Sequence, residues 1–451
     1  MTLADLGSHV LGGVRLMREI VHAPRTLSRR QMRWTIAAAL LIGVGFAILS
    51  RVRLVHTVDT VHLDNIVFGA DTFENFKGIV AGHYDVVDPR KHALAQVVLA
   101  VLTAPQRWLG ISAEASAVNT MALLVGMLGA TLLVLWVRIG ASLSLALATC
   151  VLVVSTNAFA FHTAVFETYI LTALTRGLAV LLFLELADHV TTQPGWCAIL
   201  AGLAGGLAGL ANTPAAAIAL VYSALAWSRL ARRSPVSRAW WSVVVPCALA
   251  LACALLPSIA RDFVHRDAPL QWAVQYTNRW GSLGNFSSAS LTSDYLVTVA
   301  AFSWVAVGIE PVCRYITSDV SRLGHAPWAL FGLIGGLVVV GSAARRIVRD
   351  PAARPLAVGL LIVAGVFVAF YWYFNPWEGM LYASQWMLMV AGLIVLGLKR
   401  ARGAALAVLV VAVALFVSNE PLTWPTRTTF AQACPADHLP PWEQGAHAAS
   451  P

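Results

Sequence analysis

Charge is what this sequence has least of. Only 12% of its 451 residues are Asp, Glu, Lys or Arg, against about a quarter in a soluble domain, which excludes an ordinary water-soluble fold. Paired cysteine motifs are also missing. The six cysteines form no CxxC and no Cys/His spacing, so nothing in them spells a zinc module or a dithiol centre. Cys150, Cys197, Cys247 and Cys253 fall in apolar runs and read as small core residues. Cys313 and Cys434 fall in expected external segments, where a disulfide is the alternative to two free thiols. No internal repeat is visible. The first apolar run, WTIAAALLIGVGFAILS, ends in RVRL without a small-x-small cleavage site and reads as a retained signal-anchor.

Apolar residues, by contrast, are abundant at 58%. Runs of about 17 to 25 residues recur, long enough to cross a hydrocarbon layer of roughly 30 Å. Backbone groups in lipid must be satisfied within their own segment, so these runs are helices. Spans are expected near 34–54, 115–137, 141–157, 168–187, 196–211, 213–228, 240–260, 327–343, 355–374, 380–398 and 403–418. The expected fold is an all-α polytopic membrane protein of about 11 transmembrane helices with external juxtamembrane helices. Gly202 and Gly206, Gly205 and Gly209, and Gly332 and Gly336 are each four apart and predict close helix packing. The net charge of +9 is then a matter of membrane sides, and nucleic acid is not an expected partner.

The few acids are gathered. Asp59, Asp64, Asp71, Glu74, Asp85 and Asp88 fall between positions 59 and 88. The same stretch carries Asn65, His83, Phe68, Phe73, Phe76 and Tyr84, too apolar a mixture for disorder. The run that follows, HALAQVVLAVLTAPQRWLG at 92–110, is interrupted by Pro105 and carries Arg107. If it does not cross, the basic segments 15–33, Arg138, 229–238, 344–354 and 399–402 share one side. That side holds 18 of the 31 Lys/Arg but only Asp5, Glu19, Glu185, Asp188 and Asp350 of the 22 acids. If it crosses, the basic loops scatter to both sides. The positive-inside bias therefore makes 92–110 an interfacial helix, with the N-terminus cytoplasmic and the acidic loop outside. The chain divides into a basic segment at 1–33, a transmembrane module at 34–260 with the acidic external loop 55–114, an external region at 261–326, C-terminal transmembrane helices at 327–418 and an external tail at 419–451.

Several features are candidates for chemistry, each beside a plainer reading. The acids are either a solvated loop or a site for a general base or a cation. A carboxylate can take the proton of an attacking hydroxyl, and paired carboxylates can hold Mg²⁺, Mn²⁺ or Ca²⁺ against a phosphate. Asp64, in HLDNIVFGADTFENF, follows the first span, and Val67, Phe68, Phe73 and Phe76 suit a short amphipathic surface helix. Asp85 and Asp88 would share a face of a helix, although Pro89 biases them toward extended chain. The segment NAFAFHTAVFETY reads as a short external loop with His162 and Glu167. Glu167 either stabilises a helix N-terminus or is a second carboxylate at the same cavity. Arg176 lies deeper, on the opposite helix face from Glu167, and either binds a lipid phosphate or makes a structural pair. The aromatics at 272–280 and 371–377 are either interfacial belts or sugar-stacking surfaces. Arg261, Arg266 and Arg279 are either membrane flanks or phosphate contacts.

Taken in order, these parts resemble the GT-C class of integral membrane glycosyltransferases, which includes protein O-mannosyltransferases and lipid A aminoarabinose transferases. Those enzymes carry a first span, an external loop with a catalytic Asp, an interfacial helix with a basic opening, two spans, and a second external loop with an acidic residue. The layout is similar over about 30–260. Asp64 matches the catalytic Asp; Lys91 and His92 in DPRKHALAQVVL match the basic opening; Glu167 and Tyr169 in HTAVFETYIL resemble a Glu-x-Tyr element; and Asn212 in GLAGLANTP resembles an external Gly-Leu…Asn turn. No proline follows His92 directly. The resemblance implies inverting transfer of a sugar from a polyprenyl-phosphate donor to a lipid, glycan or protein acceptor, at the outer face of the plasma (bacterial inner) membrane. Asp64 would be the base. Glu167, Asp85 and Asp88 would form a second acidic site for a metal or the acceptor, with Asp64 and Glu167 as ligands if a divalent cation (Mg²⁺ or Mn²⁺) is the cofactor. Arg90, Lys91, His92 and Arg279 would meet the donor phosphate, and Tyr169, Asn212, Trp377 and Glu378 the substrates.

Two rival readings stand beside this one. A transporter or lipid flippase carries ionisable residues near the midplane within broken helices, where here only Arg176 is deep. A non-catalytic assembly partner would be indifferent to loss of Asp64.

Overall fold

The structure, a computed structural model, describes residues 28–58, 72–82, 92–231, 235–265, 295–305, 310–312, 315–317, 326–374 and 382–420. The helices are α1 (Arg29–Val58), α2 (Thr72–Ala81), α3 (Ala93–Trp108), α4 (Ala113–Arg138), α5 (Leu143–Ser155), α6 (Asn157–His162), α7 (Tyr169–His189), α8 (Pro194–Ala211), α9 (Ala219–Leu230), α10 (Val236–His265), α11 (Pro327–Arg349), α12 (Arg354–Phe374), α13 (Ala383–Leu398) and α14 (Ala404–Asn419). A 3₁₀ turn, Thr213–Ile218, precedes α9, and a π turn spans Thr298–Phe302. The strand β1 (Glu310–Val312) pairs antiparallel with β2 (Tyr315–Thr317), with Val312 opposite Tyr315. The all-helical expectation thus holds apart from this small hairpin.

Among the described residues, seven helices are long and apolar enough to cross a membrane, lying within α1, α4, α7, α8, α10, α11 and α12. The protein is therefore a multi-pass membrane protein by helix length and composition. Others of the about eleven expected spans are shorter or broken. The helices α5, α13 and α14 are apolar but only 13, 16 and 16 residues long. The run at 213–228 is broken into the 3₁₀ turn and a 12-residue helix. The run at 141–157 stops at Ser155, because Thr156 turns its hydroxyl back to Val153 O at 2.7 Å and leaves the helix in an extended conformation.

Local sequence explains the helix starts. Ser28 and Gln31 cap α1 reciprocally, Ser28 N donating to Gln31 Oε1 at 3.0 Å and Gln31 N to Ser28 Oγ at 3.2 Å, the capping-box arrangement. Ser112 and Ser142 accept from Ala115 N and Leu145 N at the heads of α4 and α5. Small residues then let backbones meet. A Cβ on Gly126 would lie 2.6 Å from the Gly43 carbonyl oxygen, so α1 and α4 cross in direct backbone contact. Gly206 and Gly209 hold α8 as tightly against Cys253 and Ala254 of α10. Without a hydrophobic drive between helices in lipid, such close packing supplies the association energy. The outer faces stay apolar: Leu40, Leu41, Val44 and Ile48 of α1 are exposed.

The helices alternate in direction, so the bundle has two ends. A basic end gathers the C-termini of α4, α7, α9, α11 and α13. There Arg138 pairs with Glu185 at 2.6 Å and Asp188 at 3.1 Å, and Arg229 pairs with Asp188 at 2.7 Å. The opposite end gathers the last turns of α1, α8, α10, α12 and α14 with α2, α3, α6 and the turn before α7. This end is more enclosed than expected. The loop NAFAFHTAVFETY is buried throughout. Within the expected external region 261–326, Ser303, Trp304 and Val305 enter the bundle and fill the break after α5, with Trp304 O accepting from Asn157 N at 3.0 Å. The start of the tail is anchored as well. Asn419 donates to Ser155 O and Trp304 O at 2.7 and 2.8 Å, and Glu420 meets the buried Arg53 at 2.5 Å.

Candidate functional site

The enclosed end contains a polar junction built from five segments. The first is the head of α3. The stripe Ala95, Leu99 and Thr103 is buried, while Val97, Val101 and Trp108 face outward. The helix therefore packs on the bundle with an apolar outer face. Arg107 near its far end donates to Val80 O at 2.5 Å and so ties down the last turn of α2. The helix α2 docks through Asn75, which donates to Phe166 O at 3.0 Å, and through Phe76, whose ring lies 4.7 Å from that of Phe166.

His92, immediately before α3, is buried and makes the central contacts. Its Nδ1 lies 2.8 Å from Ala211 O and 3.1 Å from Thr168 Oγ1. A carbonyl can only accept, so Nδ1 carries a proton. One imidazole thus joins the opening of the interfacial helix to the turn before α7 and to the end of α8. Glu167 is buried in that turn, and its carboxylate accepts from Thr168 N at 3.3 Å. This is the helix N-terminus role open to it from the sequence. Glu167 also lines a small cavity of about 10 Å³ between α2, α3 and α4, shared with Asn75, Leu99 and Met121, room for no more than about one water.

Aromatic rings continue the junction toward α12 and α13. Tyr169 lies 6.4 Å from the His92 ring, 5.1 Å from that of His162 and 5.9 Å from Tyr382. Tyr382 stacks on Tyr371 at 3.9 Å with the planes 10° apart. The Asn212 side chain reaches the Tyr371 hydroxyl. Asn212 is buried at the end of α8, where the 3₁₀ turn after it folds back into the bundle.

Arg176 lies two turns below Tyr169 on α7 and is fully buried. It donates to Thr172 O at 3.2 Å and across to Gln385 O on α13 at 2.6 Å, and its guanidinium sits 5.0 Å over the Phe367 ring. Among the described residues no carboxylate pairs with it. Its Nη2, both polar atoms of the Gln385 side chain and the Ser384 hydroxyl are buried without hydrogen-bond partners. Burying a guanidinium with only carbonyls and a ring is costly, so a concentrated positive charge underlies the tyrosines.

Of the residues singled out from sequence, His92, Glu167, Tyr169 and Asn212 therefore meet in one place. Asp64, Asp85, Asp88, Arg90, Lys91, Arg279, Trp377 and Glu378 lie outside the described residues, as do Cys313 and Cys434. Sequence reasoning missed Thr168, Tyr382 and the unpaired groups around Gln385, which carry no motif. Arg176 did have a signal, an arginine deep in an apolar run. Among the described residues no three His, Cys, Asp or Glu side chains come together, so this part of the site does not by itself form a cation site; Glu167 is the described half of the suggested Asp64–Glu167 pair.

No known protein family, curated protein or solved structure matches the chain.

Proposed function

We propose that this chain is a GT-C-like membrane glycosyltransferase of about eleven spans. It would act at the outer face of the plasma membrane, bacterial inner membrane included, with the N-terminus and the basic end cytoplasmic. The observation that carries the proposal is the docking of His92. It joins the head of a lipid-facing helix, the turn bearing Glu167 and Tyr169, and the end of α8 at Asn212. A lipid-linked sugar needs this combination, a helix that its chain can lie along and a polar, aromatic, water-poor junction for its head.

In the reaction proposed, the acceptor hydroxyl attacks the anomeric carbon and its proton passes to Asp64. The bond from that carbon to the phosphate oxygen breaks with inversion, and polyprenyl phosphate leaves. Tyr169, Tyr382 and Tyr371 give the sugar stacking faces, with Asn212 beside them and with Trp377 and Glu378 a few residues before Tyr382 in the chain. Arg90 and Lys91, which immediately precede His92 in the chain, supply positive charge for the leaving phosphate together with Arg279, and Arg176 adds to that potential from below. Glu167, with Asp85 and Asp88, makes up the second acidic site.

The test presents purified protein in nanodiscs with a panel of radiolabelled polyprenyl-phosphate monosaccharides. Wild type is compared with Asp64→Asn, with and without EDTA and with candidate acceptors. Release or transfer that depends on Asp64 supports the reading, and the EDTA arm reports whether a divalent cation takes part. Full activity in Asp64→Asn removes the base assignment.

One observation favours a second reading, a transporter or flippase. The breaks at Thr156 and at Asn212–Ile218, with buried Arg176 between α7 and α13, form the discontinuous-helix pattern that transporters use for substrate. Movement of the intact lipid-linked sugar across a vesicle membrane, without Asp64-dependent release, would select it.

A further inference from the structure

The end of the bundle opposite the junction carries a second charged feature. A recess of about 520 Å³ opens where α11 ends beside the turn from α13 into α14. Arg345, Arg346 and Arg349 line it from the last turns of α11, and Lys399 and Arg400 line it from the turn, with Asp350 the one acid. The two sides are held in register by a backbone contact one turn deeper, where a Cβ on Gly397 would collide with the Ala343 carbonyl.

Arginines at helix C-termini ordinarily offset the helix dipole or pair with nearby acids. Here those tasks are already done by other residues. Arg354 donates to Val348 O at 2.6 Å and closes the end of α11. The acids Glu185 and Asp188 are held by Arg138 and Arg229. Among the described residues no carboxylate forms an ion pair with Arg345, Arg346, Arg349, Lys399 or Arg400. Five positive charges against Asp350 and two helix C-termini of about half a charge each leave roughly +3 in the recess. Burial pushes the half-buried Lys399 ammonium down from its usual range; Asp350 opposes this and Arg400 adds to it.

The flank of the recess shows what kind of anion belongs there. Ile334, Val338, Arg345 and Val348 follow one another at helical spacing on α11, and all four are exposed. Exposed apolar side chains therefore flank Arg345 along the outside of the bundle, Ile334 and Val338 before it and Val348 after it. That juxtaposition suits a molecule with a phosphate head and an apolar tail.

We propose that this recess is a binding site for a phosphate-bearing anion, the headgroup of an anionic phospholipid of the adjoining leaflet. The site is separate from the junction and does not depend on the glycosyltransferase reading. The test is native mass spectrometry of the full chain from neutral detergent, titrated with phosphatidylglycerol or phosphatidylcholine. The variants are the triple Arg345→Gln/Arg346→Gln/Arg349→Gln, the double Lys399→Gln/Arg400→Gln, and Arg138→Gln as a control at the same end. Wild type should retain phosphatidylglycerol over phosphatidylcholine. The triple variant should lose about 10- to 100-fold in that affinity, the double variant should weaken it likewise, and the control should not. Two variants on different helices, each checked by thermal melting, separate loss of binding from loss of fold. Millimolar inorganic phosphate that fails to displace the lipid supports the headgroup as ligand; displacement keeps the phosphate chemistry but makes free phosphate the ligand and overturns the lipid. Equal retention of phosphatidylglycerol by wild type and both variants overturns the site.

Discussion

Replacing His92 by leucine tests whether one side chain docks the interfacial helix. The change places an apolar side chain of similar bulk at the head of α3 and removes the bond to Ala211 O and the contact with Thr168 Oγ1. Polar contacts between helices in membranes average about 0.6 kcal/mol and reach about 1.7. A buried carbonyl left without a donor costs about 1–3 kcal/mol. Some relaxation is expected at the rim of the bundle, so we take about 2 kcal/mol for local docking, a shift of roughly 30-fold in the opening equilibrium. The assay is hydrogen–deuterium exchange in nanodiscs, read on peptides from the first turns of α3, with the core of α4 as internal reference. Opening of α3 alone should raise exchange at 93–97 by about that factor and leave α4 unchanged. Unchanged exchange at 93–97 would refute the docking role. An equal rise in α4 would mean that His92 supports the whole bundle.

Two further predictions follow from the same geometry. Lys77 is exposed on α2 while Asn75 is buried, so in otherwise cysteine-free protein a cysteine at 77 should react with an impermeant maleimide from outside cells, and one at the exposed Pro235 should not. Reversed labelling would invert the proposed orientation and move the junction to the wrong side of the membrane. Glu167→Gln should lower sugar transfer at least tenfold by about the loss of one charge-assisted bond. Glu185→Gln should change it little, because Glu185 is partly exposed at the far end, where an ion pair contributes only about 0–1 kcal/mol. Equal losses would point to a general folding effect.

The parts of the fold that were legible in the sequence are those governed by apolar length. Every expected span holds a helix, and the small residues at Gly202, Gly206, Gly332 and Gly336 do sit at close helix contacts. Helix breaks were not legible. From Leu143 to Phe161 the chain is almost uninterrupted in its apolarity, and what ends α5 is a threonine hydroxyl together with the carbonyl of Trp304, far away in the chain. The same long-range closure hides the loop 157–169, where Asn157 N meets Trp304 O and Thr168 meets His92. At the site, Glu167 was visible as a carboxylate at the start of a span, and His92, Tyr169 and Asn212 through the resemblance to membrane glycosyltransferases. Thr168 and Tyr382 were not, because only tertiary packing gives a threonine or a tyrosine at a membrane interface any special partner. Arg107 shows the reverse case: its charge made the run 92–110 ambiguous as a span, and it holds the end of α2.

The central claim is that the junction of His92, Tyr169, Asn212 and Tyr382 receives a polyprenyl-phosphate sugar. The most direct measurement is photo-crosslinking with a polyprenyl-phosphate monosaccharide carrying a diazirine on its first isoprene units, with labelled peptides identified by mass spectrometry. The account predicts adducts on the head of α3 and on the peptides containing Tyr169 or Tyr382, displaced by excess unlabelled donor. Adducts confined to the outer faces of α1 or α10, or labelling that excess donor does not displace, would contradict it.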